Sequence, residues 1–194
     1  MTMIERFVHN VNVALVHWPV VDSAGTEVVT NVTNFDIHDI ARAARTYGVP
    51  RYYIVNRMQE QLMFVSRVVD HWQVGRGKEF NPMRRTALGI VKPAATVEEV
   101  KSQFDTPPIV VATAARDLSV APKITFPQLR TMIQKDPEKP LLLLFGTGFG
   151  LHDSLLQQCD YILDPIVGAS MDDYRHLSVR SAVSICLDRL LGSW

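Results

Sequence analysis

Short apolar runs alternate along the chain with stretches of helical period. Apolar runs at residues 11–18, 52–55, 88–91, 109–112, 141–145 and 161–163 predict six strands. Several are apolar throughout instead of alternating, as in a parallel sheet covered on both faces. Between them apolar residues recur at spacings of three and four. Ile37, Ile40, Ala41 and Ala44 share one face of a helix that Asn34 or Asp36 can cap and Gly48 ends. Met58, Leu62, Val65, Val69 and Trp72 form a second such face, ending at Gly75. Thr96 with Glu99 reads as a capping box before Val100 and Phe104. Thr125 precedes a helix bearing Leu129, Met132 and Ile133 that stops near Pro137. Leu151, Leu155 and Leu156 mark a fifth helix, and Val179, Val183, Cys186, Leu187 and Leu190 a sixth, from Ser178 to Gly192. Six strands and six helices in alternation predict an α/β fold, a mostly parallel sheet flanked by helices. Its ligands are expected at the C-terminal ends of the strands. No internal repeat, low-complexity tract or long linker divides the 194 residues, so one domain over 1–194 is expected.

Composition narrows the function classes. Twenty Lys and Arg balance twenty Asp and Glu, which argues against a surface that is basic all over, as a general nucleic-acid glove needs. A local patch remains open, and residues 72–85 supply one. Arg76, Lys78, Arg84 and Arg85 are interleaved there with Trp72 and Phe80, with only Glu79 against them, as phosphate binding and base stacking require. The alternative is an ordinary basic loop. Trp72 falls on an apolar helix face and is expected in the core. The two cysteines, Cys159 and Cys186, form no CxxC pair, so neither a zinc site nor a thioredoxin motif is expected, and no metal. Residues 1–10 carry a charged pair where a secretory signal has its apolar stretch, and the longest aliphatic run covers only residues 141–145. A soluble cytoplasmic protein without a membrane partner is expected.

Residues 141–151, LLLLFGTGFGL, run a buried strand into three glycines and then a helix. Backbone free of side chains at that point lets a ligand approach closely. A dinucleotide fingerprint fails, because its third glycine would be Leu151, and a Walker loop fails for want of a lysine. A ligand site and a mere packing turn both remain open on the pattern alone. Residues 163–191 form a second segment of this kind, a strand end, a polar loop with Pro165 and Gly168, and a helix.

Together the two segments resemble the C-terminal motifs of the SPOUT, or α/β-knot, RNA methyltransferases. Gly146 and Gly150-Leu151 match the first motif, and Asp164-Pro165 with His176-Leu177-Ser178 the second. Asn34 before its helix, and Arg42 six residues before Gly48-Val49, match the first motif of the ribose-methylating branch. VTNFDIHDIARAARTYGV, Asn81-Pro82 and HLSVRSAVS resemble a small bacterial SPOUT family that also occurs fused to tRNA guanine-N1 methyltransferase.

The resemblance implies a trefoil knot over about 141–194 and an S-adenosylmethionine pocket. Thr113 and Ala114 would line its methionine or ribose side. Phe145, Gly146 and Gly148 would offer backbone to the ribose, and Leu163, Asp164, Ile166, His176 and Leu177 would wrap the adenine. Arg42 would orient or activate the methyl acceptor, a ribose 2′-hydroxyl or a base nitrogen of a structured RNA, tRNA or rRNA. A surface arginine on an amphipathic helix is the alternative. Asn34 would position the acceptor or cap the helix. A homodimer is implied, and Leu187, Leu190, Leu191 and Trp194 on the last helix are read as its unburied face. Two departures, His176 where serine is usual and Ser178 where asparagine is usual, favour a second possibility. This is a non-catalytic S-adenosylmethionine- and RNA-binding module that partners another modifying enzyme. A third is an unknotted nucleotide-binding protein. His17 reads as structural, and His38 and Asp39 as exposed.

Overall fold

The computed structural model describes residues 8–193, apart from the Lys78 side chain. In chain order the first elements are β1 (Val11–Val16), β2 (Val20–Val21), β3 (Glu27–Val28), α1 (Asn34–Thr46) and β4 (Tyr52–Val55). There follow α2 (Gln59–Gln73), α3 (Gly77–Phe80), α4 (Pro82–Leu88), β5 (Val91–Ala94), α5 (Val97–Lys101) and β6 (Ile109–Thr113). The chain continues through β7 (Lys123–Ile124), α6 (Phe126–Lys135), β8 (Leu141–Gly146), α7 (Asp153–Leu156), β9 (Tyr161–Leu163) and α8 (Val179–Leu191).

Seven strands form one sheet in the order β5-β4-β1-β8-β6-β9-β7, and every pairing in it is parallel. The central strands β1 and β8 are buried throughout except for Gly146 at the end of β8, and the period of two sorts their side chains onto two cores. Val11, Val13, Leu15, Leu141, Leu143 and Phe145 face α1, α2, α4, α6 and α8. Ala14, Val16, Leu142 and Leu144 face the shorter α5 and α7. β2 and β3 form a separate antiparallel ribbon inserted between β1 and α1.

Several boundaries differ from the sequence expectation, each for a local reason. Thr33, not Asn34 or Asp36, caps α1: its hydroxyl accepts from the Asp36 amide and donates to the Asp36 carboxylate at 2.6 Å. Residues 77–88 form α3 and α4 and not a loop. Pro82 occupies the first turn of α4, where its missing N–H is no loss, and the Asn81 side chain caps it. Leu88 therefore ends a helix, and the strand expected at 88–91 begins at Val91. Its Pro93 lies in β5, at the outer edge of the sheet, where proline is tolerated. The two-residue strands β2, β3 and β7 are too short to leave a periodic signal. On α8, Leu187, Leu190 and Leu191 are buried in the chain's own core, so they are not the unburied face expected of a dimer contact; Trp194 lies outside the described residues. Among the described residues no helix is long and apolar enough to cross a membrane.

Candidate functional site

At their C-terminal ends β6, β8 and β9 release three loops, 114–122, 147–152 and 164–178, which meet the first turns of α8. A cavity of about 1020 Å³ opens between them. Thr113, Ala114, Phe145, Gly146, Gly148, Leu163, Asp164, Ile166, His176 and Leu177, the ten residues expected to hold a cofactor, all line it. Parallel strands deliver this arrangement, because loops from non-consecutive neighbours leave the same edge of the sheet.

Local bonds hold the walls. The Thr113 hydroxyl donates to the Leu144 carbonyl at 2.9 Å, tying β6 to β8 beside the cavity. In the glycine loop Gly148 and Gly150 adopt φ of +60° and +114°, and a Cβ on Gly146 would stand 2.8 Å from the Leu151 backbone nitrogen. The missing side chain of Gly146 is thus a requirement of the turn itself, while the loop backbone lines the cavity. The inserted ribbon is strapped to this loop by Val21 N–H to Gly150 O (2.9 Å) and Phe149 N–H to Val21 O (3.0 Å). The ribbon adds Val21, Asp22, Ser23 and Gly25 to the cavity wall. These residues, with Arg116 and Asp117, carry no sequence motif and were not anticipated; Thr147 lies within the glycine segment but was not singled out. Val179, Ala182 and Cys186 also line the cavity; Val179 and Cys186 were legible only as one face of a core helix, and Ala182 was not singled out.

Beneath the loop runs a partly buried polar chain. Thr147 donates to the Val16 carbonyl at 3.1 Å, and Thr30 and Thr147 share a 2.5 Å hydroxyl–hydroxyl bond. Thr30 Oγ1 also shares a 2.9 Å hydrogen bond with His17 Nδ1, while His17 Nε2 is buried without a partner among the described residues. Burial pushes this imidazole down to about 4, against the opposing pull of the Asp36 charge. The Cys186 thiol on the far wall is pushed up to about 12 by burial, with Arg189 opposing, and stays a protonated apolar surface.

The candidate acceptor-binding residues lie elsewhere. Asn34 and Arg42 are exposed on α1, and neither lines the cavity. Arg76 and Arg85 are exposed; the Lys78 side chain lies outside the described residues. Arg84 stacks 4.8 Å over the Trp72 ring, and Phe80 is 82% exposed. Trp72 packs half-buried against the core. His38 is half-buried instead of exposed: its ring meets Trp72 edge-on at 5.7 Å. Burial first, then Arg84, Arg42 and His71, hold it below the ordinary histidine value, with Asp39 opposing. Arg42 and Arg84 therefore share one neighbourhood, on the helices α1 and α4, which pack together. No carboxylate pairs with Arg42, Arg76, Arg84 or Arg85 among the described residues. Among the described residues no group of three His, Cys, Asp or Glu is placed to hold a metal.

Comparison with known proteins adds to this geometry. Residues 10–192 match the profile of a SAM-dependent RNA methyltransferase family. The chain is 43% identical over 192 residues to a tRNA (guanine-N(1)-)-methyltransferase of Oleidesulfovibrio alaskensis, an alignment covering 97% of this chain and 43% of that protein. The chain thus spans less than half the length of that relative. Its fold is that of a methylase family protein of Neisseria gonorrhoeae (TM-score 0.65, 17% identity, 98% of this chain and 85% of that one). It is also that of a protein whose structure concerns 2-OH methylation of C/U34 on tRNA (TM-score 0.55, 16% identity, 95% and 99%). Matched over nearly its whole described length, the chain belongs to the S-adenosylmethionine-dependent RNA methyltransferase family.

Proposed function

We propose that the chain transfers a methyl group from S-adenosylmethionine to a structured RNA, tRNA or rRNA. The observation that carries this is the single cavity into which all three loops of the expected pocket converge. Its residues fit the cofactor. Leu163, Ile166, Val179, Ala182 and Cys186 offer an apolar wall for a flat base, the glycine loop offers backbone polar groups, and charged side chains stand elsewhere on the wall. When bound, the cofactor supplies a methyl group already activated on a sulfonium, so the protein's task is alignment and removal of one proton.

Arg42 orients or activates the acceptor, and Asn34 helps to position it. Because neither lines the cavity of its own chain, the proposal includes a homodimer in which a second copy brings them to the cofactor. Arg76, Lys78, Arg84 and Arg85 hold the RNA backbone, and Arg84 shares a neighbourhood with Arg42. The proposed fold threads α8 through a trefoil knot over about 141–194, and the proposed location is the cytoplasm. The acceptor is a ribose 2′-hydroxyl or a base nitrogen; the two relatives named above point one each way. A second reading, a non-catalytic module that binds the cofactor and RNA for another enzyme, is favoured by His176 and Ser178, which stand where serine and asparagine are usual, and by the absence of Arg42 from the cavity wall.

Titration calorimetry with S-adenosylmethionine and S-adenosylhomocysteine tests the pocket. Both bind the native chain, and Gly146→Val, whose side chain collides with the Leu151 backbone, removes the binding. Absence of binding by the folded protein sinks the methyltransferase reading. Incubation of RNA with labelled cofactor, followed by mass spectrometry of nucleosides, separates ribose from base methylation. Binding of cofactor with no methylated nucleoside from any cellular RNA favours the module.

A further inference from the structure

Six formal charges stand on the cavity wall: Asp22, Arg116, Asp117, Asp164, Asp173 and Arg175. Three of them are matched. Lys123 reaches Asp117 at 2.5 Å, and Arg175 grips both oxygens of Asp173, Nε to Oδ1 at 2.7 Å and Nη2 to Oδ2 at 2.5 Å. The remainder have no opposite charge among the described residues: one guanidinium, Arg116, and two carboxylates, Asp22 and Asp164. Asp22 has only the Ala24 and Thr26 amides, each donating to Oδ1 at 2.9 Å. S-adenosylmethionine carries the inverse set, one carboxylate against an ammonium and a sulfonium.

The chain on either side of Arg116 is tied down. The arginine follows Thr113, whose hydroxyl is bonded to β8, and it precedes Asp117, which Lys123 holds, and Leu118, which packs on the core. The loop is therefore anchored on both sides of an exposed arginine whose planar fork has no acceptor among the described residues. An arginine fork matches a carboxylate with two parallel hydrogen bonds, which a lysine cannot reproduce. We propose that Arg116 binds the carboxylate of the cofactor's amino-acid end, with Asp22 and Asp164 providing the opposite charge for its ammonium and sulfonium. This rests on the S-adenosylmethionine reading above. It makes Arg116 the residue that distinguishes the intact cofactor from its fragments.

The test is calorimetry on the full chain with two ligands, S-adenosylhomocysteine and 5′-methylthioadenosine, which keeps the nucleoside and lacks the amino acid. Arg116→Gln weakens S-adenosylhomocysteine by roughly tenfold and leaves methylthioadenosine unchanged, since one charge-assisted fork at a solvated mouth is the only contact removed. Arg116→Lys restores only part of the loss. A measurement on the native protein needs no variant: decarboxylated S-adenosylmethionine binds more weakly than S-adenosylmethionine by a similar factor. Equal loss for both ligands, or no loss for either, overturns the assignment while the cofactor reading stands. Failure of the native protein to bind any of these ligands removes both.

Discussion

His17 is 1% exposed, and its imidazole, held at about 4, is neutral at physiological pH. Its unfolded counterpart titrates near 6.5, so between these values the unfolded state takes up the proton first and stability falls as pH falls. The contribution is complete above about pH 6.5 and is lost progressively toward pH 4, on the order of 3 kcal/mol in all. His9 and His38 are lowered as well and act in the same direction. Thermal melts at pH 7 and pH 4.5 check this: the native chain loses melting temperature on acidification, and His17→Asn loses distinctly less. A variant as acid-sensitive as the native chain removes His17 from the account. The sequence shows a histidine after a strand and no more, because whether its ring is dry depends on Thr30 and Thr147, which are distant in the chain. Arg116 was illegible for the same reason, being one cation in a loop without a motif.

Helices α1 and α8 are joined at their first turns by a buried charge. The side chain of Asp36 is 7% exposed and meets Arg180 Nη1 at 2.9 Å, with Asp39 a further 3.7 Å contact of the same guanidinium. Removing the arginine leaves a buried carboxylate with Thr33 as its remaining side-chain partner. Arg180→Ala should therefore destabilise the fold by about 2 kcal/mol, less than for a fully buried pair because the arginine is partly solvated. In denaturant titrations the Asp36→Asn, Arg180→Ala double variant should lose less than the sum of its parts. Additive losses contradict the coupling. The helices themselves were legible from their apolar stripes and caps, as Thr96, Thr125 and Ser178 illustrate. α3 and α4 were missed because Gly75, Gly77 and Pro82 look like breakers, although a proline in the first turn of a helix breaks nothing.

The proposed homodimer makes a prediction that only the whole assembly can meet. When Arg42→Ala is co-assembled with Gly146→Val, each inactive alone, a mixed dimer keeps one site with an intact pocket from one copy and an intact arginine from the other. Methylation then returns to about a quarter of the native level at random assortment. No recovery, with mixed dimers present, places both residues' roles within one copy. RNA affinity is equally a property of the surface as a whole. Arg84→Ala and Arg85→Ala should each reduce the slope of log affinity against log salt by about one, if each guanidinium contacts a phosphate. An unchanged slope moves the RNA to another face.

By itself the sequence determined the α/β class and most of the elements, and its glycine segment at 141–151 marked one loop of the cavity; the three-loop pocket as a whole was implied only by the family resemblance. Periodicity, caps and glycines act over a few residues and so survive without knowledge of the rest. The tertiary structure alone decided how the loops share one edge of a sheet in the order β5-β4-β1-β8-β6-β9-β7, and how a short ribbon closes over them. It also decided that Leu187, Leu190 and Leu191 are spent in the chain's own core. These outcomes depend on contacts between residues far apart in the chain, where burial and charge pairing are set by neighbours that no local pattern specifies.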